Sequence, residues 1–211
     1  MPTPSRTSVD DIVRAGRRIV EAEGLESLTM QTVALAVGVR PPSLYKHVRD
    51  RGDLIRLIGT AVVIELGERL DEAATSGDPR RDVRGMVEAL RAFAHSDPQA
   101  YRLLFAALPE TWRVDDELNT RISQSLIRTV GHLTGGDHTL EAARTIVAWA
   151  HGFVSMELAG AFRLGGNVDE AFTFGIERLT SALMREPSGK LVTGERDDRE
   201  VSEAWTGPGA E

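Results

Sequence analysis

The 211-residue chain is predicted to be all-α, with a three-helix helix-turn-helix head followed by a larger helical body. Apolar residues recur at helical spacing along most of the chain, and Gly and Pro separate the resulting amphipathic runs. Within residues 28–54, two short helical runs are joined by a single turn that contains Gly38. The hydrophobic share of 41% is typical of a globular chain, so both parts are expected to bury a core.

The distribution of charge is more compatible with nucleic acid at the head than at the body. The net charge is −7, but residues 1–60 hold nine Lys and Arg against seven Asp and Glu, whereas the remainder holds 16 against 25. A mildly basic head on an acidic body permits local phosphate contacts. The absence of cysteine excludes disulfides and thiolate chemistry. No apolar run reaches membrane-spanning length and the N-terminus lacks a signal-peptide core, so we expect a cytoplasmic protein without a membrane partner.

The first helix of the head is predicted to begin at a capping box formed by Ser8 and Asp11 and to end at Gly24. The residues predicted to close the core of the head are Leu25, Leu28, Val33, Val37, Leu44 and Val48.

The turn between the next two helices has the residues that a tight connection requires. Thr29 is predicted to cap the first of them, and Gly38 stands where a helix end needs a positive φ. Arg40, Pro41 and Pro42 cannot continue that helix, and Pro42 is predicted to begin the second, which extends to about Val48.

The outer face of this second helix is predicted to meet DNA. With Leu44 and Val48 turned inward, a hydroxyl, a phenol, an ammonium and an imidazole remain outside, and these groups suit phosphates and base edges in a major groove. The predicted DNA-binding residues are Thr29, Arg40, Pro42, Ser43, Tyr45, Lys46 and His47. The alternative is an ordinary αα-corner whose polar face meets only water.

The stretch GVRPPSLYKHVRDRGDL resembles the recognition-helix signature of TetR-family transcriptional repressors. The matching positions are Ala34, Gly38, Val39, Leu44, Tyr45, His47 and Leu54. Val48 replaces the usual Phe, and Arg51-Gly52 stands where a Lys and an acidic or small residue are common. The resemblance implies a homodimer on an inverted-repeat operator of double-stranded DNA, and a repressor released by a small ligand rather than an activator.

Residues 53–74 form a longer helical run that we interpret as the connection between head and body. Gly59 and Gly67 lie inside it and are predicted to loosen its backbone. After a break at residues 75–79, helices are predicted over residues 78–94, 101–108 and 115–133.

The last two predicted helices, residues 139–162 and 169–184, are so apolar that we expect a second copy of the chain to cover them. The first of them is predicted to be buried on nearly every side. The predicted interface residues are Gly152, Ser155, Ala159, Phe172, Ile176, Leu179 and Leu183. The alternative is that both are simply the innermost helices of a monomer. The cluster Trp149-x-His151-Gly152 also resembles the regulatory domain of one TetR subgroup.

A small-molecule pocket is predicted among the body helices, because such a site needs no catalytic constellation. Its candidate lining residues are Phe93, Phe105, Trp112, Trp149 and Met156, although aromatic residues at this spacing also suit a plain core. The effector that would bind there is not identified by the sequence.

Enzymatic chemistry is not expected. The histidines are scattered without metal-ligand spacing, and no phosphate-binding loop or nucleophile motif occurs, so we expect no cofactor, no metal and no enzyme. A helical metalloenzyme is therefore the least favoured interpretation of the sequence. The leading alternative from another class is a helical ligand-binding or scaffolding dimer without a DNA role.

The predicted domains are 8–54 for the helix-turn-helix head, 55–186 for the regulatory and dimerisation body, and 187–211 for a disordered acidic tail. Arg6 could contact a phosphate or the minor groove as part of an N-terminal arm, and the alternative is a free tail.

Overall fold

The computed structural model describes residues 7–184, and within that span the chain forms α-helices and two short 3-10 turns without a β-strand. The predicted all-α fold is confirmed. The helices are α1 (Val9–Glu23), α2 (Met30–Ala36), α3 (Pro41–Leu44), α4 (Arg51–Ala73), α5 (Pro79–Ser96), α6 (Pro98–Leu104), α7 (Asp116–Thr134), α8 (Thr139–Leu158) and α9 (Val168–Leu183). The predicted tail at 187–211 and the Arg6 arm lie outside the described residues.

The head consists of α1, α2, α3 and the first turns of α4, packed around one apolar core. α1 begins at the predicted capping box, in which the Ser8 hydroxyl accepts the Asp11 N–H and the Asp11 carboxylate accepts the Ser8 N–H. Four of the six predicted core residues are fully buried, and the other two, Leu25 and Val37, pack against them half-buried. Burial of each aliphatic side chain stabilises the head by about 1.5–3 kcal/mol.

The recognition helix is shorter than predicted and begins one residue earlier. α3 has Arg40 as its N-cap and Pro41 as its first residue, so the prediction that Pro42 begins the helix is wrong by one position. After Leu44 the backbone tightens, because the His47 and Val48 amides both donate to the Leu44 carbonyl oxygen, at 2.8 Å and 2.9 Å. Residues 45–47 therefore form a turn rather than continuing the α-helix.

α4 is a continuous helix of 23 residues, and the predicted domain boundary after residue 54 falls inside it. Its three glycines are points of close packing. A Cβ atom on Gly52 would overlap the Trp112 indole, one on Gly59 would lie 3.0 Å from Val114 Cγ2, and one on Gly67 would lie 2.5 Å from Ile122 Cγ2. The prediction that Gly59 and Gly67 loosen the backbone is therefore corrected, since both are packed tightly against the body.

The body packs α5 through α9 around α4. Val83, Met86 and Phe93 on one face of α5 are buried, and α5 contacts α4, α7, α8 and α9. α8 is not buried on nearly every side as predicted, because its opposite face carries exposed residues, among them Ala148 and Gly152. Within one copy of the chain, α8 and α9 each have one inward and one outward face.

Candidate nucleic-acid interface

The turn and the helix that would meet DNA are held by backbone geometry and by two buried anchors. Gly38 has a φ of 72°, which favours glycine, and the Val39 amide donates to the Ala34 carbonyl oxygen at 2.9 Å to close the turn. Leu44 and Val48 are buried in the apolar core of the head. The side chains between these anchors are consequently directed outward.

Thr29 caps α2 as predicted, through a reciprocal pair with Thr32. The Thr29 hydroxyl accepts the Thr32 N–H and the Thr32 hydroxyl accepts the Thr29 N–H, both at 3.0 Å. This contact fixes the start of α2, and the Thr29 side chain stays exposed.

The structure brings the other predicted DNA-binding residues together on one contiguous outer surface. Tyr45 is 55% exposed, and all members except the half-buried Ser43 are exposed. We call this the recognition surface, and it consists of Arg40, Pro41, Pro42, Ser43, Tyr45, Lys46, His47 and Arg49. Pro41 and Arg49 are additions that the sequence analysis missed.

Arg49 extends the recognition surface beyond α3. Its side chain is 79% exposed, and its contact with Asp53 is long, at 3.3 Å. The sequence feature that could have identified Arg49 is its position directly after Val48, a predicted core residue. A residue next to such a buried residue at the end of the recognition helix can lie on the same surface as the outer face of the helix.

Asp53 holds the segment that follows α3. Its carboxylate accepts the Arg49 N–H at 3.0 Å and an Arg56 guanidinium N–H at 2.7 Å. Burial alone would raise the pKa of this carboxyl group, but these donors outweigh it and lower the pKa to about 2. Asp53 is therefore ionised at neutral pH and ties the recognition surface to α4.

Arg51 contacts the interior of the head and not the recognition surface. Its guanidinium donates to the Leu25 and Leu28 carbonyl oxygens at 2.8 Å and 2.7 Å, and it lies 5.7 Å from the Trp112 ring centre. The Trp112 indole also rests against Gly52. The segment between α6 and α7 thus touches the first turn of α4, which belongs to the head.

A second contact joins α1 of the head to the body. Arg17 pairs with Asp97 and Glu65, and the Glu21 carboxylate accepts the Gln99 N–H at 3.0 Å. Burial and the neighbouring Asp97 raise the pKa of Glu21. The orientation of the head is therefore fixed by partly buried charge pairs as well as by apolar packing.

The body contains a partly open apolar cavity of about 240 Å³ between α4, α5, α7, α8 and the end of α6. Phe105 lines it as predicted, whereas Trp112 lines a smaller cavity of about 130 Å³ nearer the head. Phe93, Trp149 and Met156 line neither, so their assignment to one pocket is corrected. Phe93 is buried in the core, Trp149 packs against Gly175 and Phe172, and Met156 is exposed.

Phe105 is held at the cavity wall by a polar pair behind it. Its ring stacks on His151 with centroids 3.9 Å apart, and His151 Nδ1 is 3.0 Å from the Tyr101 hydroxyl. Burial lowers the pKa of His151 and raises the pKa of Tyr101 to about 12, so both side chains are neutral at pH 7. The pair positions an aromatic ring and adds no charge to the cavity.

Two of the predicted dimer contacts face the interior of the chain. Phe172 and Ile176 are buried in the protein's own core, so these assignments are corrected. Leu179 and Leu183 are half-buried, and Gly152, Ser155 and Ala159 lie on the accessible side of α8. The residues that α9 leaves uncovered are different, with Phe174 60% exposed. The outward side of α9 carries Phe174 beside Glu177, Arg178 and Ser181, and the inward side supplies the core.

Across residues 7–184, no helix is long and apolar enough to cross a membrane, and no group of three or more His, Cys, Asp or Glu side chains could hold a metal ion.

Comparison with known proteins finds similar sequences among transcriptional regulators. Residues 83–179 match the family described as "Tetracyclin repressor-like, C-terminal domain". The HTH-type transcriptional regulator Rv0681 of Mycobacterium tuberculosis is 28% identical over 187 residues, which cover 86% of this chain and 84% of the relative. The class E tetracycline repressor protein of Escherichia coli is 32% identical over 59 residues, covering 28% of each chain.

The fold is also shared with a solved structure, a TetR variant from Acinetobacter baumannii in complex with minocycline. The TM-score is 0.63 at 19% identity, over 84% of this chain and 96% of the other. The narrower resemblance around Trp149-x-His151-Gly152 stays a prediction. Over most of its length the chain is therefore similar to an HTH-type transcriptional regulator, and residues 83–179 are similar to a tetracyclin repressor-like C-terminal domain.

Proposed function

We propose that the chain binds an inverted-repeat operator in double-stranded DNA as a homodimer and represses transcription until a small effector releases it. The observation that carries the proposal is the recognition surface, which presents Arg40, Lys46 and Arg49 beside Tyr45. Cations and a phenol on an anchored helix suit phosphate contacts around a major groove. We also propose that this binding takes place in the cytoplasm.

A second copy of the chain is supported by the outward faces of α8 and α9. Ala148, Gly152 and Met156 recur at intervals of four on α8, and Phe174 stands on the outward face of α9. A Cβ on Gly152 would meet nothing within 4 Å, so this face is open to another helix. A short recognition helix touches few base pairs, and a pair of heads supplies the missing specificity.

An effector of apolar character is supported by the lining of the larger cavity. Asn119 and Ser123 are its polar lining residues, and aliphatic side chains and Phe105 make up the rest. A charged ligand would lose its hydration there without a counter-charge, so we propose a neutral and mostly apolar effector. α4 forms one wall, which gives an effector a direct contact with the helix that carries the head.

The proposal is tested by selecting bound fragments from a random duplex pool with the full-length protein. We expect an inverted repeat to be enriched, with binding that weakens linearly in log–log salt titration. Recovery of no preferred sequence, with binding no tighter than to random DNA, would establish the alternative of a helical dimer without a DNA role.

The effector step is tested with the neutral apolar dye N-phenyl-1-naphthylamine. We expect its fluorescence to rise on binding, and the dye and the selected operator to weaken each other by the same factor. Val147→Phe narrows the cavity and should reduce dye binding while leaving operator affinity unchanged. Ile64→Phe, at an exposed site on α4, is the control. Dye binding that Val147→Phe does not alter would contradict the assignment of this cavity.

A further inference from the structure

The first turn of α3 carries two adjacent prolines on the recognition surface. Pro41 and Pro42 occupy the first two helical positions and are both exposed. Neither has a backbone N–H, and the Ser43 N–H donates to the Arg40 carbonyl oxygen at 2.9 Å. The start of the helix therefore offers two apolar rings and no free backbone donor in its first three positions.

The absence of backbone donors restricts which groups on the base edges the start of α3 can contact. In the major groove, purine N7 and guanine O6 are acceptors that require a donor, whereas the C5-methyl of thymine is an apolar group that requires a nonpolar contact. The rings of Pro41 and Pro42 can make the second kind of contact only. The neighbouring cations, Arg40 and Lys46, are instead suited to phosphates.

We infer that Pro41 and Pro42 are specificity-determining residues that contact thymine methyl groups at neighbouring positions in each operator half-site. The inference rests on the proposed function, because it requires this helix to enter the major groove. Pro41 and Pro42 are consecutive in the first turn of α3, with Cα atoms about 3.8 Å apart, so both rings are close enough to reach neighbouring base pairs, which are about 3.4 Å apart.

Thymine-to-uracil interference tests the inference, because uracil lacks only the methyl group. Operator duplexes from the random-pool selection are prepared with uracil randomly replacing thymine, and bound and unbound fractions are sequenced. Burying one methyl group corresponds to about a fourfold change in affinity, so we expect about fourfold interference at one or two adjacent positions of each half-site. A symmetric replacement in both half-sites should cost about 15-fold.

Variants connect each sensitive position to a residue. Pro41→Ala and Pro42→Ala shorten an exposed ring at a site where alanine suits the helix, and each should weaken the interference at one position. The double variant should remove it. The slope of log affinity against log salt should stay unchanged in all three, because no phosphate contact is lost. Pro79→Ala is the matched control, since Pro79 holds the first position of α5 in the body.

The outcomes separate this inference from the function on which it rests. If wild-type protein selects no operator, the proposed function fails and the inference fails with it. If an operator is selected but shows no uracil-sensitive position, the assignment of Pro41 and Pro42 alone is overturned. The same follows if the sensitive positions persist in the double variant.

Discussion

At the scale of single residues, Asp53 decides where the recognition surface lies relative to the rest of the head. Its buried carboxylate joins the backbone of Arg49 to the guanidinium of Arg56. Its pKa of about 2 lies below the ordinary value of 3.8, so the ionised form contributes stability above about pH 4 that is lost as the pH falls toward 2.

Asp53→Asn should therefore lower the free energy of unfolding by about 2 kcal/mol at pH 7, because the charge-assisted contacts are removed. The difference from wild type should shrink as the pH falls below about 4. Urea unfolding monitored by circular dichroism across this pH range measures it. Asp71→Asn, at an exposed site on α4, is the control, and an equal loss in both variants would refute the role of Asp53.

Lys46 is an exposed point charge in the centre of the recognition surface. Lys46→Ala should weaken binding to operator and random DNA alike and flatten the log–log salt slope by about one unit for each subunit bound. Fluorescence anisotropy at several salt concentrations provides the slopes. Arg81→Ala, which removes an exposed charge on α5, should change neither quantity. An unchanged slope for Lys46→Ala would mean that the recognition surface is placed on the wrong side of the head.

The buried and exposed residues of the head were easier to predict than those of the body, for a physical reason. Between Thr29 and Val48, capping, glycine geometry and proline restrictions act locally, and each leaves a mark in the sequence. Phe172 and Phe174 show the opposite case. They are two apolar residues on one helix, and only the packing of α9 against α5 and α8 decides which is buried.

At the scale of elements, α4 carries the contacts that local patterns could not reveal. Glycine inside a helix ordinarily costs about 1 kcal/mol relative to alanine, which led to the prediction of a loose backbone. The cost is offset here by close approach, because Trp112, Val114 and Ile122 come from segments far along the chain. Such long-range packing leaves no signal in the sequence around residues 52–67.

Gly67→Ala should accordingly destabilise the protein in spite of the better helix propensity of alanine, because the new methyl would lie 2.5 Å from Ile122 Cγ2. In an Ile122→Ala background the same change should stabilise by up to about 1 kcal/mol. Thermal or urea unfolding of the four proteins gives the coupling energy. Gly131→Ala, whose Cβ would have an ordinary 3.5 Å contact with Thr139, should stabilise in both backgrounds. Additive effects of Gly67→Ala and Ile122→Ala would contradict this packing.

At the scale of the whole molecule, the outward faces of α8 and α9 are the surface that we propose for a second copy. Met156 on α8 and Phe174 on α9 are large exposed hydrophobic side chains, and the small residues Ala148, Gly152, Ala171 and Ala182 of the two helices are also exposed. This assignment replaces Phe172 and Ile176, whose substitution would disturb the core of a single chain and would not report on assembly.

Phe174→Glu and Met156→Glu should each produce a folded monomer, because a carboxylate buried between two copies would cost several kcal/mol. Light scattering gives the mass and circular dichroism the helix content, and operator binding should weaken together with the dimer. Ile64→Glu places the same charge at a similarly exposed apolar site on α4 and should leave the dimer intact. A monomeric wild type at micromolar concentration would contradict the proposed assembly.

The length of α4 determines how far a small tilt of this helix would move the head. Its 23 residues span about 34 Å at about 1.5 Å per residue. If its C-terminal half stays fixed in the body, the free half is about 17 Å long, and a tilt of about 10° moves its first turn by about 3 Å, close to the rise of about 3.4 Å for one base pair. A change in side-chain packing at the cavity wall that tilts α4 by this angle would thus shift each head by almost one base pair along the groove. The spacing of the operator half-sites would therefore determine which tilt of α4 lets both heads bind at once.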